Sequence, residues 1–320
     1  MNAAAQPRAT QCTPPRAKRM TVATITKSTT RQPARLVVYG VEGIGKSTFA
    51  SQADHPVFLG PEDGTPHLEV DRFPVPEDMT WPDVLDAIDD LIKSETAFRT
   101  FVVDTVDWIE PLIWTTVCQR CGVPTIEEVG GGFQKGYKEA LVEWRLLLSR
   151  LEELRTKRGM SIILLGHHRT ANFKNPEGLD YIRFVMKIDP LAAGLLKEWC
   201  DAVFFANYES FAKGDKKKPA KGISTGARYI HTQWCAAWDA KTRYALPELL
   251  PLDWGAFQDA LAQGSAAQAD TLLASIEELI QKVDQATQSK VRATVDKATN
   301  DPNQLAKILN RLQAITQETV

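Results

Sequence analysis

Eight consecutive residues, 40–47, have the types and spacing that suit the binding of a phosphate group. They read Gly-Val-Glu-Gly-Ile-Gly-Lys-Ser, the G-x-x-x-x-G-K-S pattern of a phosphate-binding loop. The glycines permit a sharp turn whose backbone N–H groups surround phosphate oxygens. Lys46 supplies a cation for the β- and γ-phosphates, and the Ser47 hydroxyl can ligate Mg²⁺. We therefore predict a site for ATP and Mg²⁺, with the nucleotide held by Gly40, Val41, Glu42, Gly43, Ile44, Gly45, Lys46, Ser47 and Thr48.

The residues on either side supply the two elements that such a loop needs. Residues 36–39 form an apolar run that predicts a buried strand, and residues 47–50 begin a helical stretch. The helix presents unpaired N–H groups and the positive end of its dipole to the same anion. A glycine-rich turn with an incidental lysine is the alternative, and the order strand–loop–helix argues against it.

A second apolar run, residues 100–103, is followed by Asp104. The carboxyl ends of parallel strands meet at one edge of a sheet, so we expect Asp104 to lie across from Ser47. Together the two residues would form the Mg²⁺ site. Asp107, three residues further on, fits better as a helix cap or as a residue that supports the site.

Two more strands are predicted to end at the same edge. Residues 56–59 precede Glu62 and Asp63, and a carboxylate there can activate the water that attacks the γ-phosphate. The two acids also fit an ordinary polar turn, and the residues alone favour neither interpretation. Residues 162–165 lead to His167, which can hydrogen-bond the γ-phosphate or the attacking water, or serve as a structural histidine.

Composition limits the class of protein. The chain has 320 residues, a net charge of −2 and a hydrophobic fraction of 43%, which is enough for a globular core. No apolar stretch reaches the length of a membrane span, so we expect no membrane partner. Five cysteines do not suggest a disulfide framework, and a reducing cytoplasm is the expected setting. The charge excludes a uniformly basic surface, so nucleic-acid binding would depend on local basic loops.

The chain divides into three parts that differ in residue composition and hydrophobic pattern. Residues 1–34 carry basic residues and no acid, and predict a disordered arm. Residues 35–252 alternate strands and helices, and predict an α/β core with a mainly parallel sheet. Residues 253–320 have apolar residues at helical spacing, with a break near Pro302, and predict a helical hairpin that docks a protein partner.

The order of these parts resembles the RecA-like ATPases and, more narrowly, phage nucleotide-binding proteins of that kind, some of which act in single-strand annealing. The resemblance runs from about residue 36 to residue 250. It implies that Glu62 is the general base and that His167, in a Leu-Gly-His strand end, senses the γ-phosphate. Lys241 and Arg243 resemble a K-x-R motif that reaches a neighbouring subunit's nucleotide site, which implies a homo-oligomer. A phage-encoded protein of this kind would act in the cytoplasm of its bacterial host.

Two loops, residues 129–136 and 169–187, stand where RecA-like proteins bind DNA. Both interleave cations with aromatic residues, which suits the phosphates and stackable bases of single-stranded DNA. A basic run at residues 213–222 is a further phosphate-contacting candidate or a solvated turn. The predicted DNA-binding residues are Phe133, Lys135, Arg169, Phe173, Lys174 and Arg183.

The sequence thus predicts a Mg²⁺-dependent ATPase that binds single-stranded DNA and assists recombination by annealing. Three other functions fit the same motifs: a replication-associated ATPase of the helicase type, a small-molecule kinase, and a scaffold whose nucleotide controls binding of a partner.

Overall fold

The computed structural model describes residues 32–61, 67–213, 221–298 and 301–318. Most of the predicted basic arm, the predicted base Glu62, and the tip of the basic run therefore lie outside the described residues. Within the described ranges, the strands are β1 (Arg35–Gly40), β2 (Pro56–Leu59), β3 (Asp71–Arg72), β4 (Thr100–Val103), β5 (Ser161–Phe173), β6 (Tyr181–Met186), β7 (Ala202–Lys213), β8 (Lys221–His231), β9 (Lys241–Thr242) and β10 (Leu249–Pro251). The helices are α1 (Lys46–Ser51), α2 (Trp81–Lys93), α3 (Val106–Cys121), α4 (Lys135–Arg158), α5 (Pro190–Trp199), α6 (Trp254–Ile280), α7 (Gln285–Lys297) and α8 (Pro302–Glu318).

The strands form one sheet in the order β10-β8-β7-β1-β5-β4-β2-β3, with β6 paired to β5 and β9 paired to β7. Strands β7, β1, β5, β4, β2 and β3 are parallel to one another. The antiparallel strands β8 and β10 extend one side of this parallel core. The predicted α/β fold with a mainly parallel sheet is confirmed.

Helices cover both faces of the sheet, and β1 lies in its middle. Leu36 and Val38 point into a core shared with α1 and the start of α6, whereas Val37 and Tyr39 point into a larger core shared with α2, α3, α4 and α5. All four side chains are buried, as expected for a parallel strand with both faces covered. The apolar run therefore fixes β1, and the loop that follows it, in the centre of the molecule.

The predicted loop over residues 169–187 is instead a β-hairpin. Strand β5 continues beyond the parallel core and pairs antiparallel with β6, from His168 opposite Met186 to Phe173 opposite Tyr181. The hairpin turns at residues 174–180, where the Asn175 side chain accepts a hydrogen bond from the backbone of Glu177. The polar composition of this segment gave no clear strand pattern, although Phe184 and Met186 of β6 do pack against the larger core.

The C-terminal part contains three helices and not the predicted hairpin of two. Helices α6, α7 and α8 share a small core of their own, while Phe257 in the first turns of α6 packs against Phe49 and Phe204 of the sheet domain. Helix α7 buries none of its residues, so its sequence lacks the apolar spacing from which a helix would be predicted. Asp284 caps its start. In the described part of the chain, we find no helix with the length and apolar character needed to cross a membrane.

Candidate nucleotide-binding site

The phosphate-binding loop, residues 40–47, connects β1 to α1 and depends on its glycines. Gly43 and Gly45 have φ angles of +71° and +110°, in the left-handed region that favours glycine. A Cβ on Gly40 would lie 2.0 Å from the carbonyl oxygen of Ala206, because β7 packs directly against the start of the loop. The glycine pattern therefore has a backbone reason at each of the three positions.

The Lys46 side chain folds back against the phosphate-binding loop. The residue is 6% exposed, and its Nζ donates hydrogen bonds to the carbonyl oxygens of Gly40 at 3.2 Å and Val41 at 2.9 Å. These contacts hold the ammonium group inside the turn, where the motif requires a cation for a phosphate. An ammonium group in this place fits an anionic ligand, since a buried charge is stabilised by an opposite one.

Ser47 and Asp104 meet across the loop as the sequence predicts. The Ser47 hydroxyl donates a hydrogen bond of 2.6 Å to Oδ2 of Asp104 at the end of β4. Burial raises the pKa of the Asp104 carboxyl, although the bond from Ser47 and the nearby charge of Lys46 oppose that rise. A hydroxyl and a carboxylate side by side are hard oxygen donors of the kind that Mg²⁺ prefers. The residues present therefore fit Mg²⁺.

His167, at the end of the parallel part of β5, is held by Asp107 near the start of α3. Oδ1 of Asp107 accepts a hydrogen bond from the His167 backbone at 2.9 Å, and Oδ2 lies 2.8 Å from Nδ1. Burial acts to raise the pKa of Asp107, but the hydrogen bonds from His167 outweigh it and the pKa is lowered. An ionised carboxylate can only accept, so Nδ1 carries the hydrogen and Nε2 is left for other contacts.

An arginine that sequence reasoning missed completes the cleft. Arg228 of β8 donates a hydrogen bond of 3.2 Å from Nη1 to the carbonyl oxygen of Ile44 in the loop. The two residues are 184 positions apart, and no motif marks Arg228, so only the sheet topology could bring it here. The resulting nucleotide cleft has a volume of about 260 Å³. It is lined by Gly43, Gly45, Lys46, Ser47, Thr48, His67, Asp104, Thr105, His167 and Arg228.

Comparison with known proteins places this cleft in a family. A family model described as an AAA domain matches residues 32–244, which include every residue that lines the cleft. The chain belongs to this AAA-domain family. The predicted class of P-loop ATPase is therefore confirmed for this AAA-domain protein, whereas its assignment to phage annealing proteins stays a prediction.

The other two comparisons add little to this assignment. No curated protein matches the chain. Among solved structures, a crystal structure of the RadB recombinase is similar over 70% of this chain and 90% of that chain, at 15% identity and a TM-score of 0.40.

Lys241 and Arg243 lie far from the nucleotide cleft of their own chain. Lys241 pairs with Val203 near the start of β7, whereas the phosphate-binding loop begins beside Ala206, near the other end of the parallel core. Arg243 donates a hydrogen bond of 2.8 Å to Oδ1 of Asp201, and burial together with Arg243 lowers the pKa of Lys241. Any part that these cations play in hydrolysis needs a second copy of the AAA-domain protein, and stays a prediction.

The predicted glycine loop, residues 129–136, holds an aromatic ring out in solvent. Phe133 is 92% exposed and has a φ of +54°. It lies in a run of five residues, 130–134, that all have positive φ, an arrangement that three glycines make accessible. Lys135 donates a hydrogen bond of 2.9 Å from Nζ to the carbonyl oxygen of Gly130 and so closes the turn.

The β5–β6 hairpin offers fewer free cations than predicted. Arg183 is 9% exposed and forms an ion pair of 2.6 Å with Asp239, so the structure does not favour its predicted role as a DNA-binding residue. The cause is tertiary, since Asp239 lies 56 positions away. Lys174 forms an ion pair with Asp180 across the turn. Arg169 is exposed, and Phe173 packs beside Tyr181 with ring centres 5.0 Å apart.

Proposed function

We propose that this AAA-domain protein is a Mg²⁺-dependent ATPase that binds single-stranded DNA and assists recombination by annealing. The observation that carries the ATPase proposal is the 2.6 Å contact between Ser47 and Asp104, in one cleft with Lys46 and His167. These are the charges and donors that phosphoryl transfer needs around a terminal phosphate and its metal ion.

Four residues of the cleft, together with Glu62, have distinct parts in the proposal. Lys46 stabilises the charge that develops on the transferred phosphoryl group, which is commonly the largest contribution to such catalysis. Ser47 and Asp104 would hold Mg²⁺, which would supply positive charge to neutralise the phosphates. Nε2 of His167 contacts the terminal phosphate or the attacking water. Glu62, three residues after β2 in the sequence and outside the described residues, is proposed as the base that takes the proton of that water.

Two continuous elements support a coupling between the cleft and DNA. Strand β5 carries His167 at the cleft and Phe173 six residues later, about 20 Å away along an extended strand. Helix α3 carries Asp107 near its start and, two turns later, Trp114, whose ring meets that of Tyr137 just after the glycine loop at 5.6 Å. A change at the terminal phosphate can therefore be transmitted to both predicted DNA-binding segments through packed elements.

The predicted DNA contacts combine aromatic rings with cations. Phe133 stands free in solvent, and Arg169 is an exposed cation on β5. Phe173, Lys135 and Lys174 complete the proposed set. Base stacking on each ring contributes about 1–3 kcal/mol, and the cations make binding fall steeply with salt.

The test measures binding of a labelled oligonucleotide by fluorescence anisotropy, with and without a non-hydrolysable ATP analogue, alongside ATPase rates with and without that DNA. We expect single strands to bind more tightly than duplex, the analogue to strengthen binding, and DNA to stimulate hydrolysis. Phe133→Ala and Phe173→Ala should each weaken binding about 5- to 150-fold. Val142→Ala, which shortens an exposed apolar side chain of α4, is the control.

The outcomes separate the alternatives. If the phenylalanine variants bind normally while Lys216→Glu and Lys217→Glu abolish binding, the DNA site is the basic run and the two-segment proposal fails. If the wild-type protein hydrolyses ATP but binds no DNA, recombination is refuted and only the ATPase stands. Transfer of phosphate to an acceptor other than water would identify a kinase.

A further inference from the structure

Arg228 enters the nucleotide cleft from the side opposite His167. In the sheet order, β5 and β4, which carry His167 and Asp104, lie on one side of β1. Strands β7 and β8, the second of which carries Arg228, lie on the other side. The phosphate-binding loop follows β1, so it lies between these two groups of side chains.

The contact between Arg228 and the loop is close. A Cβ on Gly45 would lie 3.0 Å from Nη1 of Arg228 and 3.9 Å from the Leu252 side chain. The backbone N–H of Leu252 donates to the carbonyl oxygen of Arg228 at 3.0 Å, which fixes the two residues beside each other. A cation and an apolar side chain therefore border the same end of the loop.

Within the described residues, most of the hydrogen-bonding capacity of Arg228 is not used by other protein groups. A guanidinium group has five N–H donors, and Nη1 meets the neutral carbonyl oxygen of Ile44. No carboxylate of the described residues lies within ion-pair distance of Arg228, in contrast to Arg183 with Asp239. Arginine in such a setting suits bidentate contact with phosphate oxygens.

We propose that Arg228 binds the nucleotide at its α- and β-phosphates, within the same chain, and plays no part in the transfer of the γ-phosphate. The inference rests on the proposed ATPase function, because it assumes that a nucleotide binds in this cleft. It adds the direction in which that nucleotide lies. The terminal phosphate lies toward Asp104 and His167, and the nucleoside end lies toward Arg228 and Leu252. Arg228 is thus a binding residue that ATP and ADP use equally.

The test compares two substitutions that separate a phosphate contact from support of the loop. Arg228→Gln keeps a side-chain donor for the Ile44 carbonyl oxygen but removes the charge, whereas Arg228→Lys keeps the charge. Dissociation constants for fluorescent ADP and for a non-hydrolysable ATP analogue are measured with Mg²⁺, together with kcat at saturating ATP. Arg145→Ala, at an exposed arginine of α4, is the matched control.

We expect Arg228→Gln to raise both dissociation constants by the same factor, about 10- to 100-fold, as for loss of a charged hydrogen bond. The kcat should change less than about threefold, and Arg228→Lys should recover part of the affinity. The melting temperature without ligand should match that of the wild type, while its rise on adding ADP should be smaller.

Three results would overturn the inference. Normal ADP affinity in Arg228→Gln would mean that the residue only supports the loop. A loss confined to ATP, or to kcat, would place Arg228 at the γ-phosphate. Failure of the wild type itself to bind ADP would refute the ATPase proposal. That result differs from one in which the wild type and Arg228→Gln bind ADP equally, which refutes only the role of Arg228.

Discussion

Replacing Asp107 by asparagine tests how the structure holds His167. The Asp107 side chain is 5% exposed, and it accepts hydrogen bonds from both the backbone and Nδ1 of His167. Asparagine has nearly the same size, and its Oδ1 can still accept the backbone bond. The amide nitrogen that replaces Oδ2 is a donor, so it can face Nδ1 only when Nδ1 carries no hydrogen. The substitution therefore moves the imidazole hydrogen from Nδ1 to Nε2, the nitrogen available to the cleft.

The size of the effect follows from the charged hydrogen bond that an uncharged amide replaces. A hydrogen bond to a charged partner contributes about 1.5–3 kcal/mol, which corresponds to about 10- to 150-fold in rate if all of it serves the transition state. We expect Asp107→Asn to lower kcat by a factor in this range. The affinity for ADP should stay unchanged, because ADP lacks the phosphate that His167 is proposed to contact.

The assay is steady-state ATP hydrolysis in the single variants and in the double variant with His167→Gln. If Asp107 acts through the imidazole, Asp107→Asn should have little further effect once His167 is replaced. Equal losses in both backgrounds would refute this reasoning, and so would a single variant with unchanged kcat. A melting curve for each variant checks that the loss does not reflect unfolding.

Further predictions concern the cleft, the oligomer and the core. Lys46→Ala should lower ATP hydrolysis by about 10²-fold or more, and unchanged turnover would contradict the site. Mixing Lys46→Ala protein with Arg243→Ala protein should restore some hydrolysis if the site is shared between subunits, and no recovery would argue for a self-contained one. Burial raises the pKa of Glu110 from its usual 4.5 to about 7, so the wild-type free energy of unfolding should fall as pH rises from 4.5 to 7, by at most about 3 kcal/mol. Urea titrations across that range should show this slope in the wild type and not in Glu110→Gln. A Cβ on Gly60 would lie 1.7 Å from the carbonyl oxygen of Asp104, so Gly60→Ala should lower both the melting temperature and the Mg²⁺-dependent affinity for nucleotide.

The sequence by itself was enough to predict the central strand of this protein and the phosphate-binding loop that follows it. The phosphate-binding loop, the apolar run before it and the acid at the end of β4 are local patterns that can be recognised without knowledge of the tertiary structure. A strand buried on both faces must be apolar throughout, and a loop that turns back on itself needs glycine at positive φ. These requirements were sufficient to predict the contact between Ser47 and Asp104, because parallel strands end at a common edge.

Only the tertiary structure decided which distant charges meet. The buried Arg183 pairs with the half-buried Asp239, and Arg228 reaches the loop at Ile44. Nothing in the local sequence distinguishes these arginines from Arg169, which has no such partner in the described residues. A side chain's partner depends on strand order and register, and these are set by the packing of the whole sheet. An arginine side chain can therefore face a ligand at one position and pair with a carboxylate at another, depending on which strands surround it.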